Sequence, residues 1–534
     1  MNTRAAEKIG ATRGHVMLEV FSPADGKKIG EVPSFSVDES LAALRETRQA
    51  QAKWAQIPVG RRLEIIKSFG EILHERADEV ARLLSAENGK PLYEAYIHEV
   101  LPVIHLSAYF VKRAEKILAP KPIPIWMFKN RKSYIHYRPR GVTLIISPWN
   151  FPFTIPAGAV IMNLIAGNGV LLKPASLTPL IAYKLREIFD AAGLDPKLFQ
   201  IVSGPGRMAE ELIEKGAPHI NFVNFTGSTE IGKVVAALCG KHLIPCSMEL
   251  GGKDPAIVCE DADIALAARS VVNGAFGNSG QICASVERAY VHKNVFDVFV
   301  KEVVKLTREL IQDDPARNSR ADIGAMTSRE QLEIVRRQVE DAVGKGARVL
   351  TGGKVSDRGG MFFEPTVLTD VTDDMAVLRE ETFGPILPVM SVEDDREAIR
   401  KANEGIYGLS AYVFTKETKH GRRIAEQIEA GTVMLNETLI THVFPETPWQ
   451  GFKESGTGRA HSDDGLRDLC LACHVNYDTM PIPRPLWNKF WIWHPYDPKK
   501  IRRFHSLYGL LFISSSFVKK LSLLKNLLLP KPVT

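Results

Sequence analysis

The stretch Val142-Thr143-Leu144-Ile145-Ile146-Ser147-Pro148-Trp149-Asn150-Phe151-Pro152 decides the fold. Five apolar or β-favouring residues in a row, soon stopped by a proline, read as a short strand buried on both faces; a half-exposed strand would alternate. Gly169-Val170-Leu171-Leu172-Lys173-Pro174 repeats the pattern. Such strands belong to parallel sheets, whose ligands bind beyond the carboxyl ends, so the two runs deliver Asn150 and Lys173 to a common edge. A third unit, Asn221-Phe222-Val223-Asn224-Phe225, runs into Thr226-Gly227-Ser228-Thr229-Glu230-Ile231-Gly232. Its helix start offers backbone amides, and the Ser228 hydroxyl, to a pyrophosphate, although the G-x-G-x-x-G fingerprint is missing. Strand-like runs alternating with helical patterns predict an α/β protein with two Rossmann-like parallel-sheet domains. Residues 63–84 have helical spacing, with Ile65, Ile66, Phe69, Ile72 and Leu73 on one side, and predict one surface helix.

Two further runs carry chemistry. Met248-Glu249-Leu250-Gly251-Gly252 places a carboxylate before a glycine pair, and Phe276-Gly277-Asn278-Ser279-Gly280-Gln281-Ile282-Cys283 places a thiol after a glycine-rich turn. Alone, a cysteine is usually a small buried hydrophobe and a glutamate a solvated charge. The glycines mark places where backbone bends sharply or approaches a ligand closely. A thiol can hold an aldehyde covalently, and a carboxylate can activate the water that frees the product.

With Lys173-Pro174-Ala175, Phe225-Thr226-Gly227-Ser228, Glu381-Thr382-Phe383-Gly384-Pro385 and Gly451-Phe452-Lys453-Glu454-Ser455-Gly456, these runs resemble, in order, the aldehyde dehydrogenase superfamily over about residues 21–478. The resemblance implies that Cys283 attacks the aldehyde carbon while the Asn150 amide and the Cys283 N–H hold the oxyanion. It implies that Glu249 activates water, so that the thioester is hydrolysed rather than passed to coenzyme A. It implies NAD or NADP as cofactor, held around Trp149, Lys173, Ser176, Gly227, Ser228, Gly232, Glu381 and Phe383. Taken one at a time, Asn150 is a turn residue between prolines, Lys173 and Glu381 are solvated charges, and Phe383 is core. Ser176 stands where NAD-preferring relatives carry a glutamate, which leaves NADP open. Ala209 and Gln450 also depart from the family pattern. A small arm pairing 132–137 with 466–477 joins subunits in the family and implies a homo-oligomer, dimer or tetramer.

Composition bounds the rest. A chain of 534 residues, 45% hydrophobic, buries more than one core. The expected division is 1–249 for cofactor binding, 250–445 for catalysis, 446–480 for a return segment and oligomerisation strand, and 481–534 for a tail. Six scattered cysteines give no disulfide framework, and Cys470 and Cys473 read as buried structural residues. No metal-ligand motif occurs, so no metal is implied. Residues 1–15 lack the apolar run of a secretory signal, which points to a cytoplasmic protein.

The net charge of +6 is unevenly placed: residues 481–534 hold +9 and the remainder −3. The tail also holds Trp487, Trp491 and Trp493. Ile501, Phe504, Tyr508, Leu511 and Phe512 fall on one helical side, as do Phe517, Leu521, Leu524 and Leu528, while Lys519, Lys520 and Lys525 face elsewhere. The longest uncharged run is too short to span a bilayer, which needs about 20 residues. This is the pattern of an in-plane amphipathic anchor on an anionic surface, the inner membrane face. Packing of the tail on the enzyme is the alternative; its leucines do not suit nucleic acid. The sequence thus predicts oxidation of hydrophobic aldehydes at a membrane, against a soluble semialdehyde dehydrogenase or a non-catalytic, membrane-associated binding protein on the same fold.

Overall fold

The computed structural model describes residues 16–126, 130–479, 498–513 and 516–529. Val142–Ile146 (β1), Gly169–Lys173 (β2), Phe199–Ile201 (β3), Phe222–Thr226 (β4) and Cys246–Glu249 (β5) form a parallel sheet in the order β5-β4-β1-β2-β3. The two-residue strand Gly456–Thr457 adds to β5 in antiparallel fashion. The strand order reverses between β1 and β4, the switch point where a crevice opens beyond the carboxyl ends. Successive residues face opposite cores, as a doubly covered sheet requires. Ile145, Val170 and Leu172 pack with helices that include Val59–Glu75, Leu101–Leu118 and Thr154–Ala166. Leu144, Leu171 and Val223 pack with Val37–Trp54, Met208–Gly216 and Thr229–Lys241.

The second sheet holds Asp254–Val258 (β6), Val286–His292 (β7), Arg348–Thr351 (β8), Thr366–Thr369 (β9), Ile386–Val392 (β10), Ser410–Phe414 (β11) and Thr432–Leu435 (β12), ordered β8-β9-β10-β7-β6-β11-β12. All neighbours are parallel except β8 with β9. This is the expected α/β class with two mostly parallel sheets.

Three expectations change in detail. The helix expected over 63–84 is two helices, Val59–Glu75 and Ala77–Asn88, because Arg76 leaves helical geometry at φ −102° and ψ 14°. Ile66, Phe69 and Leu73 are buried as the spacing requires. The arm is a three-stranded sheet in which Arg131–Pro139 lies between Lys121–Ile123 and Cys470–Asp478. Leu466 instead ends up in the helix Ser462–Asp468, and of the two arm cysteines Cys470 is buried while Cys473 is half-buried.

The chain divides into two compact units, one built on His136–Cys473 with the segment up to Pro120, the other on Lys121–Ile135 with the segment from His474 onward. In the second, Pro498–Tyr508 continues through a π turn, Gly509–Ile513, and packs on Phe517–Leu528. The close approach is at Gly509, where a Cβ would stand 2.8 Å from Leu523 Cδ1. No helix among the described residues is long and apolar enough to cross a membrane. Trp487, Trp491 and Trp493 lie outside the described residues.

Candidate active site

The carboxyl ends of the first sheet's strands meet the amino ends of the second sheet's strands, and the quoted motifs lie on the connecting turns. Glu249 ends β5, and Gly251-Gly252 lead into β6. Cys283 precedes β7, and residues 381–385 precede β10. The second sheet therefore contributes its amino edge.

Cys283 follows three left-handed residues, Asn278 (φ 48°), Ser279 (φ 57°) and Gly280 (φ 72°). Two of them are not glycine, a costly arrangement that persists only when its surroundings fix it. They are fixed on every side. The Asn278 N–H donates to Glu94 Oε2 at 2.8 Å, Ser279 Oγ to the Gly324 carbonyl at 2.9 Å, and the Thr327 N–H to Gln281 Oε1 at 2.9 Å. At Gly280 any Cβ would strike the Gly384 carbonyl, which welds the nucleophile turn to the 381–385 turn. Burial, with Glu249, Asp254 and Glu381 nearby, pushes the Cys283 thiol up.

Asn150 is buried, and its side-chain amide donates to the Gln281 carbonyl at 2.9 Å, two residues from the thiol. A primary amide has two N–H groups, so one remains for a developing oxyanion. The Asn150 carbonyl accepts from Lys90 Nζ at 2.8 Å and from Asn278 Nδ2 at 3.0 Å. Lys90 in turn pairs with Glu99, whose other oxygen accepts the Phe153 and Thr154 N–H groups at 3.0 and 2.8 Å. Glu249 has no side-chain hydrogen bond among the described residues, and burial pushes its carboxyl up to about 8.

Glu381 accepts from the Gly252 N–H at 2.9 Å, and burial raises it to about 8. The turn it sits on is held by the buried Glu287, which pairs with Lys253 at 2.6 Å and accepts from the Phe383 N–H at 2.8 Å. Phe383 meets Trp149 edge to face, ring centroids 5.4 Å apart. Lys173, at the end of β2, is buried; its ammonium reaches the Pro174 carbonyl at 3.3 Å, and burial lowers it to about 8. Ser176 Oγ donates to the Gly204 carbonyl at 2.9 Å. Gly227 and Ser228 open the helix Thr229–Lys241, with the Ser228 hydroxyl capping it, and Gly232 lets that helix close on Leu250.

Two cavities meet here. A funnel of about 550 Å³, counting its open mouth, ends on Cys283 and is lined by apolar residues including Phe151, Ile282, Met434 and Trp449. Burial holds its two histidines, His98 and His442, down at about 4. A second space, about 600 Å³, is lined by Glu249, Ser247, Arg459 and His461 among others. The two share Ile155 and His442 in their walls.

The turn thus gathers Cys283, Asn150 and Glu381 near one another, and Glu249, which lines the adjoining space, is close enough to act on the thiol. Lys90, Glu99, Lys253 and Glu287 were missed by sequence reading, because a buried ion pair declares itself only once its two halves are brought together. Asn278 and Gln281 lay within the quoted run, and their polar types so close to a thiol were the available signal.

Comparison with known proteins places this architecture. The Aldehyde dehydrogenase family matches residues 11–475. A putative succinate-semialdehyde dehydrogenase [NADP(+)] 2 of Mycobacterium ulcerans is 36% identical, over 92% of this chain and 95% of its own length. A 4,4'-diapolycopene aldehyde oxidase of Methylomonas sp is 34% identical, over 94% and 93%. The NAD+ complex structure of an aldehyde dehydrogenase from Bacillus cereus superposes with a TM-score of 0.83 at 30% identity, covering 87% of this chain and 94% of that one. The chain belongs to the aldehyde dehydrogenase family.

Proposed function

We propose that this NAD(P)-dependent aldehyde dehydrogenase oxidises hydrophobic aldehydes to carboxylic acids at a membrane surface. The observation that carries the substrate class is the funnel on Cys283. A semialdehyde presents a second carboxylate, which calls for a cation, and among the described residues the funnel wall has neither lysine nor arginine. Its histidines are neutral. The name of the Mycobacterium relative therefore does not extend to this funnel, whereas that of the Methylomonas relative supports an apolar aldehyde.

In the proposed reaction Cys283 Sγ forms a bond to the aldehyde carbon, and the carbonyl oxygen becomes an oxyanion facing the Asn150 amide and the Cys283 N–H. Burial keeps the thiol protonated, so its proton passes to solvent as the bond forms, which leaves Glu249, unpartnered and near 8, for the water step. When bound, NAD(P)+ supplies the two-electron acceptor that turns the thiohemiacetal into a thioester. Glu249 then takes a proton from water, the hydroxide adds to the thioester carbon, and as the C–S bond breaks the departing sulfur takes that proton from Glu249, returning the thiol and releasing the acid.

The carboxyl edge of the first sheet fits a dinucleotide. Lys173 is a buried ammonium with one carbonyl partner, the helix Thr229–Lys241 opens at Gly227-Ser228, and its Ile231 and Val234 are exposed apolar residues suited to a planar base. Lys173 and Glu381 would hold ribose hydroxyls, with Trp149 and Phe383 at the nicotinamide end and Ser176 near the adenosine ribose. The sheet of β1–β5 is accordingly the cofactor half and that of β6–β12 the catalytic half.

The tail supports the membrane part of the reading. Ile513, Phe517, Val518 and Leu528 are exposed beside Lys519, Lys520 and Lys525, and the described tail residues include no acid. The arm strands are the proposed subunit contact of a homo-oligomer.

The test is a series of straight-chain aldehydes assayed with NAD+ and with NADP+. We expect kcat/KM to rise with length, by at most about four-fold per methylene, the transfer free energy of that group. A preference for succinate semialdehyde, or a series that falls with length, overturns the reading.

A further inference from the structure

We infer that the aldehyde site continues outside the funnel: Leu101, Ile440 and Phe444 form an apolar sill that holds the distal carbons of an aldehyde too long for the cavity. This rests on the hydrophobic-aldehyde reading above.

Two backbone elements contribute residues to the funnel wall. One is the helix Leu101–Leu118, entered through a π turn, Ala95–Val100. A π turn inserts a residue into the helical repeat and so shifts the face that the following residues present. His98 and Pro102 line the funnel, and Leu101 between them is left 44% exposed. The other element is the single 3₁₀ turn Ile440–Val443. Leu439 before it lies at φ 65°, a left-handed conformation that costs a branched side chain free energy and persists where the surroundings impose it. Leu439, His442 and Val443 line the funnel, while Ile440 and Phe444 are 42% and 38% exposed. The two elements are tied together, His105 Nδ1 lying 3.2 Å from the Val443 carbonyl.

Single exposed apolar residues need no explanation. These three are exposed on the two irregular elements that line one funnel, each next in sequence to a residue of its wall. The apolar wall that begins at Cys283 therefore does not end at the mouth. A chain seated with its carbonyl on Cys283 and longer than the funnel must leave through that mouth, and the first surface it meets is apolar. Binding there requires no cation and no hydrogen-bond donor, only the removal of methylenes from water. The occupant is thus the far end of an unbranched or polyene aldehyde.

The experiment compares the full-length enzyme with Leu101→Ser, Phe444→Ser and the double variant, using butanal and hexadecanal. If the sill holds the distal chain, the hexadecanal-to-butanal ratio of kcat/KM falls about ten-fold in the double variant, roughly the burial of two methylenes lost. The loss appears in KM rather than kcat, because distal contacts are equal in ground and transition states. An unchanged ratio, with the wild type still preferring hexadecanal, overturns the sill and leaves the hydrophobic-aldehyde reading standing. A wild type indifferent to chain length removes that reading and the sill with it. Light scattering on each variant supplies the other control: a smaller assembly than the wild type would assign these residues to a contact between copies of the chain and overturn the proposal.

Discussion

Lys90 and Glu99 are wholly buried with their charged atoms 2.5 Å apart, and between them they hold the Asn150 carbonyl and the start of the helix Thr154–Ala166. Lys90→Met should destabilise the fold by about 3 kcal/mol, since it leaves Glu99 charged and uncompensated in the interior. Urea unfolding measures this. A loss under about 1 kcal/mol would show that the pair is dispensable, and folded variant protein should also show lowered kcat through a loosened Asn150.

Cys283→Ala should lower dehydrogenase activity by more than about a thousand-fold, because the covalent route disappears. Circular dichroism should stay unchanged, because the hydrogen bonds that fix the turn are made by Asn278, Ser279 and Gln281. Sustained NAD(P)H formation by the folded variant would refute the assignment.

Glu249→Gln should release NAD(P)H in a burst and then turn over about a hundred-fold more slowly, with a thioester trapped on Cys283 that mass spectrometry detects. In the wild type the hydrolytic step should quicken as pH rises through about 8, where the carboxylate is half ionised, and level off above it, and the variant should lack that limb. Stability should move the other way. The folded-state value lies above the ordinary carboxyl value of 4.5, so the wild type is favoured at low pH and loses that contribution as pH rises through about 8. The variant should match the wild type in Tm near pH 5 and exceed it near pH 9.

Ser176→Glu should shift the cofactor preference about ten-fold towards NAD+, by adding a charge that repels a 2'-phosphate. Steady-state kcat/KM with each cofactor reads it. An unchanged ratio would place Ser176 away from the adenosine ribose.

Deleting residues 481–534 should abolish flotation with anionic vesicles while activity on a short aldehyde persists. Each basic residue near such a surface contributes about 1 kcal/mol, which salt screens, and the exposed apolar residues add a part that salt does not. Full-length protein should therefore weaken its grip at high salt without letting go. Failure to float, or loss of the fold on truncation, would make the tail a packing element.

The sheets were legible because their strands are buried on both faces. An unbroken run such as Val142–Ile146 admits few other readings, and the glycines of 251–252 and 280 flagged close approaches that the structure contains. The break at Arg76 was not legible: the apolar spacing continues across it, and only φ and ψ reveal that one helix has become two. The buried pairs Lys90–Glu99 and Lys253–Glu287 were invisible for another reason. Charged residues carry the same letters on a surface as in an interior, and pairing across 9 or 34 positions follows no local period. The π turn over Ala95–Val100 likewise leaves no mark in composition.

Asn150 and Glu249 belong to one sheet's turns, Cys283 and Glu381 to the other's. Neither sheet owns the reaction. A slip of one against the other by about an ångström would part donor from nucleophile with every strand still paired and both cores still dry, so turnover works as a strain gauge on the seam, registering a misalignment that no measure of secondary structure would see.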